Sequence, residues 1–342
     1  METMHWNRSL FTRLSLLALA CISFGLLARP GLAQSSAPKA YVGVFKDNVV
    51  AVIDTGTNKV TTTIPVPAGP HGLVVTPDGR WVYVSSDGDS KVSVIDTGTD
   101  QIAKTIEVGK APHGLAMTSD GKWVLAAVNG ADTVAVIDTA RNTVVANLPA
   151  PKPHNIAISP DDHTAYVAAQ KPDALGLVIF DLTTQQQTSV VKLDKTPRAL
   201  NFSPDGKKVY FTVQDVNAVQ VLDTGTNTIT GQIPVGASPH HVLFTADGEY
   251  GLVVSQKTDE LTVFDTEKNT VEATIPVGKL PHWIALTADE KTAYVTDENA
   301  NDVSVVDLGT GKVTATIPVG QAPRKIVLQP ALMVTPEVTP GQ

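Results

Sequence analysis

A proline followed by histidine or arginine returns seven times along this chain. It falls at Pro70, Pro112, Pro153, Pro197, Pro239, Pro281 and Pro323, so the spacings are 42, 41, 44, 42, 42 and 42 residues. A period near 42 marks stacked supersecondary units, none of which can bury its apolar faces alone. Within one unit the pattern predicts four short strands. His113–Thr118 alternate, Ser119-Asp120-Gly121 turn, Trp123–Val128 and Val134–Ile137 make the next two strands, Asp138–Asn142 turn again, and Thr143–Leu148 make the last. The 3.6-residue periodicity that helical repeats of this length would need is absent. The 25 glycines and 23 prolines are spread along the chain, as many short strands joined by turns require.

The two ends of the repeat region fit each other. Residues 40–69 supply three strands with no first strand, and Pro323–Gln329 supply a first strand with nothing after it. Joined, they make a seventh unit and remove the open edges that a linear array would leave. The expected fold is all-β: a seven-bladed β-propeller of four-stranded antiparallel blades over residues 40–330, with the ring closed by the C-terminal strand joining the N-terminal blade. A short linker, residues 34–39, precedes it, and a tail, residues 331–342, follows.

Residues 1–33 read as a signal peptide. Arg8 and Arg13 precede the apolar run Leu14–Ala28, and Gly31-Leu32-Ala33 offers small residues for cleavage. That run is about 15 residues, short of the roughly 20 that a membrane span needs, and no later segment approaches that length. A periplasmic or secreted protein with no transmembrane segment in the mature chain is therefore expected. The one cysteine, Cys21, lies in this leader, where lipidation is the alternative to cleavage at Ala33, so the mature chain has no disulfide. A net charge of −8 without a long Lys/Arg run argues against a nucleic-acid partner. A monomer is expected.

Tyr294-Val295-Thr296-Asp297 stands in register with Tyr83-Val84-Ser85-Ser86 and Tyr166-Val167-Ala168-Ala169, and Val92–Thr97 and Ile233–Gly236 are further recurring segments. Over residues 40–330 these resemble the YVTN-repeat family of seven-bladed propellers, YncE-like exported proteins. The resemblance implies the fold. It implies no single reaction, because relatives include cell-surface proteins, lyases, lactonases, dehydrogenase subunits and metal or haem proteins.

Strand direction assigns residues to the two ends of the ring. One end collects the turn aspartates Asp78, Asp120, Asp205 and Asp247 and the strand-ending Asp54, Asp96, Asp138, Asp181, Asp223, Asp265 and Asp307, residues suited to capping backbone N–H groups. The opposite end collects His71, His113, His154, Arg198, His240, His282 and Arg324, one per blade. Sixteen residues after the first six of these come Asp87, Asn129, Gln170, Gln214, Gln256 and Glu298, with Phe45 in the N-terminal blade. The sequence thus predicts a girdle of imidazole and guanidinium groups at one channel mouth beside a second girdle of carboxylates and amides. Duplication of one structural Pro-His also explains the column. Arginine, however, is no geometric substitute for histidine, so the mouth is the candidate site.

Seven blades spaced at about 10 Å give a ring about 20 Å across, too wide for one metal ion to reach all five girdle histidines. Adjacent ones remain candidates for a metal: His71, His113 and His154, or His240, His241 and His282. Imidazole without thiolate points to copper, zinc or iron, and the resemblance adds copper-cluster and haem precedents. An anionic organic ligand is the other occupant, since Arg198 and Arg324 stay charged and Lys110, Lys152, Lys195, Lys279 and Lys325 are expected in the same inter-blade loops. A carbohydrate fits less well, with aromatics only 5% of the chain and Trp283 the one clear neighbour of the girdle. No G-x-S-x-G, Walker, H-E-x-x-H, C-x-x-C-H or Rossmann pattern occurs. Two functions follow from the same residues: a binding or interaction scaffold holding a small ligand or protein partner at the mouth, or a metal-dependent oxidoreductase or lyase.

Overall fold

The computed structural model describes residues 37–330. The leader expected over residues 1–33, with Cys21, and the tail over 331–342 lie outside the described residues. The described chain forms seven four-stranded antiparallel sheets. Their innermost strands are Pro70–Val75, Pro112–Met117, Pro153–Ile158, Pro197–Phe202, Pro239–Phe244, Pro281–Leu286 and Pro323–Leu328, and each contacts the next around a closed ring. Blades take the name of the girdle residue on that strand. Among the described residues no helix is long and apolar enough to cross a membrane.

Closure occurs as the split repeat requires. In the Arg324 blade the strand Pro323–Leu328 pairs antiparallel with Lys39–Val44, matching Ala40 to Leu328, Tyr41 to Val327 and Val42 to Ile326. The Val49–Asp54 and Lys59–Pro65 strands complete that sheet. The second and third strands of each blade are sandwiched between neighbouring blades and are buried on both faces, as in Trp81–Ser86 and Lys91–Asp96. Valine, isoleucine, tyrosine and phenylalanine fill these layers, Tyr41, Tyr83, Phe180, Phe211 and Phe264 among the largest fully buried. Each such side chain contributes about 1.5–3 kcal/mol on leaving water. The outermost strands are mostly exposed, as in Gln101–Glu107, where only Ile106 is buried.

The aspartate end is bolted between blades. The Tyr41 hydroxyl donates to Asp100 at 2.7 Å, Tyr83 to Asn142 at 2.6 Å and Tyr294 to Asn58 at 2.7 Å, and Tyr166 repeats the contact to Asn227. All four acceptors have φ between 52° and 55°, a left-handed conformation that asparagine and aspartate tolerate well. The strand-ending aspartates cap the same turns, as Asp54 Oδ1 accepts from Thr57 N–H at 2.8 Å.

At the opposite end each innermost strand is bulged just after its proline. The register shifts between Pro70 and Leu73, Pro112 and Leu115, Pro153 and Ile156, and likewise in the remaining blades. Proline has no N–H for the ladder, and a bulge re-aims the next side chain. The Pro-His and Pro-Arg pairs are therefore the device that turns the girdle residues toward the bore.

Candidate functional site

The girdle residues converge. The imidazole rings of His71 and His113 lie 3.6 Å apart between centroids, His113 and His154 4.0 Å, and His240 and His282 4.2 Å, each pair tilted by 36–39°. Between blades two apart, His71 is 6.4 Å from His154 and 5.7 Å from His282. The width of about 20 Å expected from sheet spacing measures strand edges. The side chains project inward from those edges and bring the rings together.

A second column explains how the rings are held. Fourteen residues after the girdle position, the next strand carries Ser85, Ala127, Ala168, Thr212, Val254 and Thr296. Where that residue has a hydroxyl, it donates to the girdle carbonyl of the following blade: Ser85 to His113 O, Thr212 to His240 O at 2.7 Å, and Thr296 to Arg324 O at 2.6 Å. Where it is alanine or valine, the blade's own imidazole takes over through Nδ1–H. His113 donates to His154 O at 3.0 Å, His154 to Arg198 O at 3.1 Å and His240 to His282 O at 3.1 Å. Six inter-blade carbonyls are each met by one donor of one kind or the other. On the hydroxyl-bearing blades the buried Nδ1 of His71 and of His282 has no partner. The sequence held this alternation in plain view, but it is legible only when the two columns are read against each other.

Three histidines are therefore fixed with the proton on Nδ1, which leaves Nε2 as an acceptor. His282 Nε2 accepts from Arg324 Nη1 at 3.2 Å, so this ring too is neutral. Burial, with repulsion from neighbouring imidazoles and guanidiniums, holds His71, His113, His240 and His282 well below the usual histidine range. His154 is lowered to about 4 by burial, against the opposing hydrogen bond to Arg198 O. The mouth is thus a ring of neutral imidazoles interrupted by two cations.

Those cations differ. Arg324 pairs with Glu298 at 2.9 Å and lies over the Phe45 ring at 4.9 Å. Arg198 meets only neutral acceptors, Ser238 Oγ and Gln256 Oε1, both at 3.0 Å. The amide girdle is otherwise turned to structure: Asn129 Nδ2 donates to Pro153 O at 3.2 Å and Gln170 Nε2 to Pro197 O at 2.7 Å. Gln214 is exposed, and Asp87 is half-buried, its carboxyl raised by burial against the pull of Arg324. Burial also raises Glu298, with Arg324 opposing.

As ligands for a metal these groups fit poorly. Among the described residues no three His, Asp, Glu or Cys side chains converge in a metal-holding group. In the first expected set the rings of His71, His113 and His154 lie ring against ring, tilted by 36° from one to the next, and His113 and His154 turn Nδ1 to backbone carbonyls. In the second, His241 turns from the girdle and stacks on Trp283 at 3.6 Å and 15°. Lys325 is also not in a loop as expected. It lies on the closing strand, is buried, and donates from Nζ to Leu115 O at 3.1 Å.

The ring and its polar mouth define a seven-bladed propeller scaffold, and comparison with known proteins agrees. The profile described as "YNCE-like beta-propeller" matches residues 37–120, "Choice-of-anchor I domain" matches 85–241, and "Lactonase, 7-bladed beta-propeller" matches 230–330. Together with the seven closed blades, these matches, each over part of the chain, support a YncE-like seven-bladed propeller family. No curated protein gives a significant sequence match.

Solved structures share the architecture. Hydrazine synthase of Kuenenia stuttgartiensis superposes with a TM-score of 0.75 at 20% identity, over 84% of this chain and 100% of that one. A functionally unknown protein from Desulfotomaculum acetoxidans DSM 771 gives 0.75 at 16% identity, over 86% and 100%. The dihydro-heme d1 dehydrogenase NirN, solved in complex with DHE, gives 0.66 at 18% identity, over 86% and 66%. At such identities the likeness is one of fold.

Proposed function

We propose that this protein is an exported, non-catalytic binding propeller, and that its His/Arg-lined channel mouth holds a small polar ligand bearing a carboxylate or phosphate. The observation that carries this reading is Arg198. Its guanidinium is half-buried at the mouth, and among the described residues no carboxylate pairs with it. A desolvated guanidinium held only by neutral acceptors favours a bidentate anionic partner. The Nε2 acceptors of His113, His154 and His240 then suit N–H or O–H groups on the same ligand. The leader pattern of residues 1–33 supports export.

The test is calorimetric titration of the full chain with inorganic phosphate and with citrate. Binding of at least one probe is expected, weakened about tenfold or more in Arg198→Met, since a charge-assisted pair is lost. Equal binding by the native chain and the variant overturns the proposal, as does no binding of either probe.

A further inference from the structure

One residue inward from the girdle, each innermost strand contributes to a second layer: Gly72, Gly114, Asn155, Ala199, His241, Trp283 and Lys325. The layer is lopsided. Three consecutive blades bring the large side chains and the others bring small ones. A Cβ at Gly72 would collide with the carbonyl oxygen of His113, so the strands there pack backbone to backbone.

Lys325 is only 8% exposed. Its Nζ lies 4.5 Å from the centre of the Trp283 ring and donates to Leu115 O, two blades further round. Among the described residues it forms no ion pair. An ammonium has three N–H donors, and one protein acceptor meets it here. The rest of the layer offers no counter-charge. His241 Nδ1 accepts from Ile284 N–H at 3.2 Å, which puts its proton on Nε2, and Asn155 turns its Oδ1 to its neighbour Ile156 N–H at 2.9 Å. Ammonium, imidazole N–H and amide N–H are all donors, and Trp283 bears His241 stacked on its ring.

We infer that the second layer is an anion site, in which Lys325 holds a small inorganic anion or carboxylate against Trp283. A buried ammonium without a counter-charge is costly, and a small anion supplies both the missing charge and acceptors for the N–H groups that Leu115 O leaves over. The inference lies one layer deeper than the proposed mouth site and does not depend on it.

Trp283 provides the readout, because its ring centre lies 4.5 Å from the Lys325 ammonium that would hold the anion. Iodide, which quenches indole emission, is titrated into the full chain at constant ionic strength, with formate as competitor. A saturable part of the quenching is expected in the native chain and is reversed by formate. It is absent from Trp283→Phe, and it weakens about tenfold or more in Lys325→Met, where the charged donor is gone. Thermal unfolding is the check that both variants are folded. The inference is overturned if quenching in the native chain is purely collisional, or if Lys325→Met retains the saturable part. If Arg198→Met abolishes that part while Lys325→Met leaves it, the anion belongs to the mouth. Loss only in Lys325→Met supports the deeper site, whatever the outcome of the phosphate and citrate titrations.

Discussion

His240 donates through Nδ1 to the carbonyl of His282 at 3.1 Å, and it does so on a blade where Val254, fourteen residues later, has no hydroxyl to offer. The two residues divide one task. An imidazole or a hydroxyl satisfies the inter-blade carbonyl, and the girdle histidine is bound or released accordingly.

The division predicts unequal costs for alanine substitution. His113→Ala, His154→Ala and His240→Ala each leave a buried carbonyl short of its donor, at about 1–3 kcal/mol beyond the packing lost. His71→Ala loses packing only, and His282→Ala loses packing and the 3.2 Å bond from Arg324, which keeps its pair with Glu298; Ser85 and Thr296 already meet the carbonyls concerned. Urea unfolding midpoints should therefore separate the five variants into a costly three and a milder two. Introducing the hydroxyl by Val254→Thr should reduce the cost of His240→Ala. A cycle in which the two substitutions simply add would show that the columns do not compensate.

The architecture was legible because it is written in repetition. The Pro-His period, the strand alternation and the split unit each constrain the same closed ring, and Pro323–Leu328 pairs with Lys39–Val44 as that reading requires. Convergence of the girdle followed from register alone. The closeness of the rings did not, because spacing fixes strand edges and the bulge after each proline sets how far a side chain projects. Lys325 departs from the loop expectation for a related reason. The loop lysines Lys195 and Lys279 reach acceptors at the rim, Asp215 O and Asp259. Lys325 is two residues past its proline and already inside the strand.

Replacing that lysine should stabilise the protein. Burial alone lowers Lys325 to about 7, whereas the unfolded chain holds the proton up to about 10. The folded state thus binds fewer protons over this interval. The stability cost develops as pH falls from about 10 and is fully present below about 7. Lys325→Met removes it and should gain about 1–4 kcal/mol in buffers free of binding anions, as replacement of buried charges by apolar groups often does. Thermal melts at pH 6.5 and pH 10 check both sign and window: the gain should be large at the lower pH and shrink at the higher.

Acid should loosen the ring before it protonates ordinary carboxylates. His71, His113, His154, His240, His241 and His282 are all lowered, burial being the largest cause in each. In the unfolded chain histidine takes up its proton near pH 6.5, while the folded rings resist. Stability is therefore full above that value and falls as pH drops toward 4. Urea midpoints measured from pH 7.5 to 4.5 should decline steadily below about 6.5. A flat profile to pH 4.5 would mean that the rings protonate in place.

One carboxyl pair works in the opposite sense. Asp297 and Asp302 face each other across neighbouring strands of the His282 blade, and Asp297 is fully buried, with Ser304 Oγ donating to its Oδ2 at 2.6 Å. Burial, reinforced by the second carboxylate, raises Asp297 well above the usual aspartate range, and burial raises Asp302 as well. The folded state keeps a proton that the unfolded chain releases near pH 4, so stability is lost as pH climbs from about 4 toward neutrality. Asparagine at 297 presents an N–H to Asp302 at every pH and removes that loss. Asp297→Asn should therefore melt about 2–4 °C higher than the native protein at pH 8, a gain on the order of 1 kcal/mol, and close to it at pH 4. The same gain at both values would assign the effect to packing rather than to the shared proton.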